Sequence, residues 1–226
     1  KDQKDIDVIK SAYPAPLRFP TGEKYEYCNV GYFSLAEIIS RISGKPWGDF
    51  MNERLFAPLR MTATQPTNVS AIIPNRAGGY EWRNDRMRNA REYIAVRPSG
   101  AFLSTVLDLA KWDAALYTDA ILKQSSREQM WTPVKLNSGA THPYGLGWQL
   151  GPLGNHRRMD HGGSLPGFRS HFMRLPDDKL SIIVLTNADN ANPGGIARGV
   201  AAIYLPDLAD SADSANPANK TAPKTN

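Results

Sequence analysis

The period of the apolar positions changes once along the chain. Up to about residue 140 they recur at helical spacing, and beyond it they gather into short runs. In residues 31 to 43, Leu35, Ile38, Ile39 and Ile42 fall on one side of a 3.6-residue period, and Gly44 followed by Pro46 supplies a stop. This predicts a helix with that face buried. Pro46 fits the first turn of a second helix carrying Trp47, Phe50, Met51 and Leu55, which Pro58 ends. Residues 60 to 100 are rich in Asn, Arg, Gly and Pro without a clean period and read as long loops with one short strand pair. Two more helix starts follow. Thr105 with Asp108 leads into Leu109, Trp112 and Leu116, and Ser125 with Glu128 precedes Met130 and Trp131.

From Tyr144 the segments "YGLGWQL", "RRMDHGG", "FRSHFMRLP" and "KLSIIVLTN" have strand composition, and Pro176, Asp177 and Asp178 make a turn between the last two. They predict an antiparallel sheet. Asn192 and Pro193 then cap a final helix whose Ile196, Val200, Ile203 and Tyr204 are expected to cover that sheet. The chain therefore reads as an α+β protein: a mainly helical region over 1–140, an antiparallel sheet with a C-terminal helix over 141–206, and a tail over 207–226 with too little to bury, expected to be disordered.

Composition narrows the function classes. With 226 residues, 41% of them hydrophobic, the chain can bury a full core. No apolar run is long enough for a spanning helix, and one cysteine cannot form an internal disulfide. The histidines show no ligand spacing, so neither a metal nor another cofactor is expected, and His142, His156 and His171 read as ordinary loop or surface residues. The net charge is +5, and Arg76, Arg83, Arg86, Arg88, Arg91 and Arg97 crowd one region. Glu81, Asp85 and Glu92 dilute them, which suits a solvated surface or a groove for an anionic substrate, and no nucleic-acid-binding pattern accompanies them.

Two stretches carry candidate chemistry. "KYEYCNVGYFSLAEIISRISG" puts Tyr27 and Asn29 at a helix entrance, where polar residues also serve as plain caps. "MDHGGSLPGFRS" places His161 before Gly162 and Gly163 in a strand and follows them with Ser164. Paired glycines weaken a strand, so they mark either a bulge or an edge where a substrate backbone lies close and a main-chain N–H is free for an oxyanion. Asp160 cannot orient His161, because neighbours on a strand point to opposite faces. Nor does Ser164 sit in a G-x-S-x-G elbow, since position 166 is proline.

Taken in order, "FPTG", Tyr27-Cys28-Asn29, "GYFSLAEIISRISGKPWGDFMNERLFAPLRM", "PSGAFLSTVLDLAKW", "YGLGWQL", "DHGGSLPGFRS" and "LSIIVLTN" resemble the serine β-lactamase-like hydrolases of the class C, D-alanyl-D-alanine carboxypeptidase and esterase type, from about Phe19 to Leu205. The resemblance implies a β-lactamase/transpeptidase-like fold and a small-molecule or peptide substrate: an ester, a D-amino-acid peptide or a β-lactam. It implies catalytic roles for Tyr27, as acid/base, and for His161, as cationic or hydrogen-bonding partner. Asn29 would hold a substrate amide, Gly162 and Gly163 would line the cleft, and the Ser164 N–H would form half of an oxyanion hole. Export to the periplasm or the extracellular space is also implied. His161 stands where β-lactamases proper usually carry lysine, which points towards the esterase and peptidase relatives. Cys28 is expected to be a small buried filler.

The family's third element, a helix-borne Ser-x-x-Lys, occurs nowhere in the chain. Thr21 to Lys24, Thr132 to Lys135 and Thr221 to Lys224 have the spacing with a threonine, but all lie beside Pro or Gly in turns or tail. The expectation is an inactive fragment whose N-terminal part is missing. Its sheet over 144–187 would then expose an apolar face or an unpaired edge open to association. A non-catalytic module binding a cell-wall peptide or a partner is the rival. Without the lysine, Tyr27 is an ordinary phenol with a pKa near ~10. Tyr27 and His161, 134 positions apart, are expected within roughly 10 Å of each other if they serve one set of reacting atoms.

Overall fold

The computed structural model describes residues 5–68, 71–91, 98–100 and 102–209. Most of the tail expected to be disordered, and Arg97 of the arginine-rich region, lie outside the described residues. Helices α1 (Asp5–Ala12), α2 (Asn29–Ser43) and α3 (Trp47–Met51) open the chain, and α3 runs on into a π-helical turn, Asn52–Phe56. Gly44 ends α2 in the left-handed conformation (φ 70°), its N–H bonded to the Ser40 carbonyl. Pro46 is the residue before α3 rather than part of its first turn. The buried face of α2 also differs from the expectation. Phe33 and Ala36 are buried, whereas Leu35, Ile38 and Ile42 are exposed. The helix turns towards α1 and α3, which pack on it, and the stripe of larger side chains points away.

Short strands β1 (Gln65–Pro66) and β4 (Phe102–Leu103) pair with each other, and β2 (Tyr80–Arg83) and β3 (Arg86–Asn89) form a hairpin. Asn84 and Asp85 take positive φ there, as a two-residue hairpin turn requires. Helix α4 (Val106–Ala115) starts where the sequence predicts: the Thr105 hydroxyl accepts from the Asp108 N–H. Helix α5 (Gln124–Met130) does not start on Ser125, because Lys123 occupies the cap position and gives no side-chain cap. Strands β5 (Val134–Lys135) and β6 (Thr141–His142) pair next.

The main sheet consists of β7 (Gln149–Leu153), β8 (His156–Leu165), β9 (Phe168–Leu175) and β10 (Leu180–Thr186), antiparallel in the order β10-β9-β8-β7. Residues 144 to 148, read as strand from sequence, are instead a turn ahead of β7, forced close because a Cβ on Gly145 would lie 2.2 Å from the Met130 carbonyl oxygen. Helix α6 (Pro193–Tyr204) covers one face, and the Asn192 side chain accepts from the Gly195 N–H as expected. Its contact face is the correction. Ala197 and Ala201 are fully buried against Met173, Leu175 and Ile182, while Ile196, Ile203 and Tyr204 face out. A stripe of small residues brings the helix axis close to the sheet, and the bulky side chains cannot share that contact.

On the opposite face Met159, Trp148 and Leu116 form a second core layer. There Arg174 is fully buried between the rings of Tyr117 and Trp131, and its Nε donates to Asp113 of α4, which also accepts from Ser181. That pair ties α4 to β9 and β10. Among the described residues β10 has no strand on its outer edge, and no described helix is long and apolar enough to cross a membrane.

Candidate active site

Tyr27 lies in the extended segment before α2, Cys28 is the extended residue at the cap, and Asn29 is the first residue of the helix. Cys28 is exposed, not a buried filler, because the cap position faces outward from the helix start. The extended segment runs alongside the turn ahead of β7. The Tyr25 ring stacks on His142 at 4.0 Å and lies 5.1 Å from the Tyr144 ring. The Tyr27 ring, half exposed, is 6.2 Å from the His161 ring and meets Tyr144 edge-on at 6.4 Å. Tyr144 is buried, and its hydroxyl is 2.9 Å from His161 Nε2. Asn29 is exposed, and among the described residues no hydrogen bond links its side chain to Tyr27 or His161.

The phenols are protonated groups. Burial, then the neighbouring Tyr32, pushes the Tyr27 pKa up, and the same two causes raise Tyr144 much further. Burial, Tyr32 and Tyr27 raise Tyr25, against a smaller opposing hydrogen bond with Tyr144. Among the described residues no cation lowers Tyr27, so at neutral pH it can donate a proton but is not a base.

β8 is built to leave an open edge beside this cluster. Both hairpins that flank it turn on two residues, Gly154-Asn155 and Pro166-Gly167, and both registers direct the main-chain groups of Asp160, Gly162 and Ser164 towards β7 rather than β9. β7 begins at Gln149, opposite Asp160. The N–H groups of Gly162 and Ser164 therefore face a side where, among the described residues, β8 has no strand partner. The two glycines differ in cause. A Cβ on Gly163 would lie 2.3 Å from Ser170 Oγ, whereas one on Gly162 would meet nothing nearer than 3.6 Å.

Asp160 points to the other face, as strand alternation demands, and is buried. Its Oδ2 is 3.1 Å from His171 Nε2, out of line for a hydrogen bond, and 3.5 Å from Arg158. His171 is thus largely buried rather than a surface residue. His156 is not an ordinary surface residue either, because its two ring nitrogens lie 2.8 Å from Asp178 and 2.9 Å from Asp207. A cavity of about 380 Å³, lined among others by Trp131, Leu150, His156, Arg157 and Arg158, opens at that hairpin end, and none of the candidate residues lines it. Tyr144 is the site residue that motif reading missed, since only the fold brings it to Tyr25 and Tyr27.

The family model described as Beta-lactamase matches residues 2–204. The chain is 29% identical over 187 residues to Penicillin-binding protein 4* of Bacillus subtilis (strain 168), covering 76% of this chain and 41% of that protein. It is 28% identical over 192 residues to the D-aminopeptidase of Brucella canis, covering 83% of this chain and 36% of that protein. The chain thus spans about two fifths of the length of these curated relatives. Among solved structures, the octameric penicillin-binding protein homologue from Pyrococcus abyssi superposes with a TM-score of 0.78 at 24% identity, over 90% of this chain and 48% of that one. The D-amino acid amidase from Ochrobactrum anthropi SV3 complexed with L-phenylalanine amide gives 0.72 at 25% identity, over 83% and 57%.

Proposed function

The chain belongs to the beta-lactamase family, and on that premise we propose that it carries the Tyr-x-Asn and His-Gly-Gly half of a serine acyl-transfer site. The helical residues 1–140 and the sheet residues 141–206 are the two walls of one cleft. Tyr27 is the acid/base, Asn29 holds a substrate amide, Gly162 and Gly163 keep the floor low, and the Ser164 N–H is one donor of the oxyanion hole. His161 lies against Tyr27 at the centre. The observation that carries this reading is the meeting of Tyr27, Tyr144 and His161 beside a stretch of β8 that no strand covers.

The substrate class is a D-configured amino-acid amide, ester or peptide, with export to the cell exterior. The names of the relatives, a D-aminopeptidase and a D-amino acid amidase, support the substrate class. The nucleophile has to come from outside these 226 residues, which contain no Ser-x-x-Lys, and the raised pKa of Tyr27 fits a site still waiting for a cation. The residues as given are then inactive, and the outer edge of β10 is open to association.

The gene cloned with its flanking sequence tests this. A chain that gains Ser-x-x-Lys should label with a fluorophosphonate and turn over D-phenylalanine amide, and Tyr27→Phe should cut turnover about a hundredfold or more, the usual scale for a general acid/base. Undiminished turnover in Tyr27→Phe would overturn the assignment. The absence of Ser-x-x-Lys favours a second reading, a binding module for a cell-wall peptide or a partner. It gains ground if the flanking sequence also lacks the pair while the chain still binds D-alanyl peptides.

A further inference from the structure

His161 has both ring nitrogens engaged. Nδ1 lies 2.7 Å from the carbonyl oxygen of Gly162. A carbonyl can only accept, so Nδ1 carries a hydrogen. Nε2 lies 2.9 Å from the hydroxyl of Tyr144. In the neutral imidazole with its hydrogen on Nδ1, Nε2 is a bare lone pair that needs a donor. Tyr144 suits that role. Burial and the nearby Tyr32 raise its pKa, so the phenol keeps its hydrogen across the physiological range. Among the described residues the ring's hydrogen-bond partners are a carbonyl and a phenol.

We propose that Tyr144 is a positioning residue whose hydroxyl donates to Nε2 of the neutral His161 ring and selects its Nδ1–H tautomer, clamped between that phenol and the Gly162 carbonyl. Two consequences follow for the cleft. It meets an imidazole engaged at both nitrogens, so neither is free to bond a substrate while the clamp stands. The carbonyl of Gly162 is also occupied, which leaves the N–H groups of Gly162 and Ser164 and the Ser164 carbonyl as the polar main-chain groups that β8 turns to the open edge. The two N–H groups are the donors that a developing negative oxygen needs. The relevance to catalysis rests on the acyl-transfer reading above, but the tautomer belongs to this chain by itself.

The test is a long-range ¹H–¹⁵N spectrum of the 226-residue chain labelled in its histidine rings, recorded near pH ~8.5, where an ordinary histidine is neutral. The wild-type chain should show His161 with its hydrogen on Nδ1 and a hydrogen-bonded lone pair at Nε2. Tyr144→Phe keeps the ring and removes the donor, and the ratio of Nε2–H to Nδ1–H should rise about tenfold, the equivalent of one neutral hydrogen bond. A wild-type His161 with its hydrogen on Nε2 would overturn the proposal, as would an unmoved ratio in a folded Tyr144→Phe chain. If that variant does not fold, the wild-type spectrum decides alone. Failure of the longer gene product to label with a fluorophosphonate would count against the hydrolase reading and leave this result untouched.

Discussion

The two histidines of β8 sit five residues apart and keep opposite company. At the hairpin end, His156 bonds Asp178 in the turn after β9 and Asp207 beyond α6. Only an imidazolium can donate to both carboxylates at once, and those bonds, Asp207 first and Asp178 second, raise its pKa. Arg157 beside it is paired with Asp177. At the cleft end, His161 has a carbonyl and a phenol, its neighbours are aromatic rings, and the strand edge beyond it is open. One end spends its polar groups on one another and ties three segments together. The other keeps N–H groups and a half-exposed phenol in reserve, which is how a structural end of a strand differs from a functional one.

Both ends lie on one strand, and the buried Arg174–Asp113 pair ties its sheet to α4. Asp113→Ala leaves a fully buried guanidinium without its carboxylate and should cost about 3–5 kcal/mol in urea unfolding. A loss below about 1 kcal/mol would mean that the cation is not held by Asp113.

His156 predicts a pH dependence with a definite sign. Its pKa is raised in the folded chain, so its stabilisation is complete below the ordinary value near ~6.5 and is lost as pH rises through the folded value. Thermal melts of the wild type should fall across that window, and those of His156→Asn should be lower at acid pH and flat there. Amides around Leu208, which packs against Gly154 at the hairpin, should exchange several-fold faster in the variant. Equal pH profiles in the two proteins would put the clamp elsewhere.

The smallest effects separate the glycines. Gly163→Ala meets Ser170 Oγ and should cost about 1–3 kcal/mol, recovered in part by adding Ser170→Ala. Gly162→Ala has room and should cost less than about 1 kcal/mol. A reversed order would contradict the register of β8 and β9.

Local signals were legible in the sequence wherever a residue acts on its own neighbourhood. Thr105, Asn192 and Gly44 cap the helices as their types demand, and the strand composition from residue 149 onward gives the antiparallel sheet. The motifs at Tyr27 and His161 were visible as well, but their mutual distance is a property of the fold. Burial of helix faces was misread because size was taken for contact: Ala197 and Ala201, not Ile196 and Ile203, touch the sheet. Charge pairing was invisible for a similar reason. Asp178 and Asp207 are 22 and 51 positions from His156, and Asp113 is 61 from Arg174. Tyr144 escaped because "YGLGWQL" has strand composition, whereas its first residues turn to place that phenol on His161.

The most direct measurement follows the two histidines in one sample: ¹⁵N spectra of the wild-type chain recorded from pH ~6.5, the ordinary histidine value, upward. The result expected is that His156 keeps hydrogens on both ring nitrogens above that value, and that the neutral His161 ring carries its hydrogen on Nδ1. A His156 that loses a hydrogen at or below the ordinary value, or a neutral His161 with its hydrogen on Nε2, would contradict it.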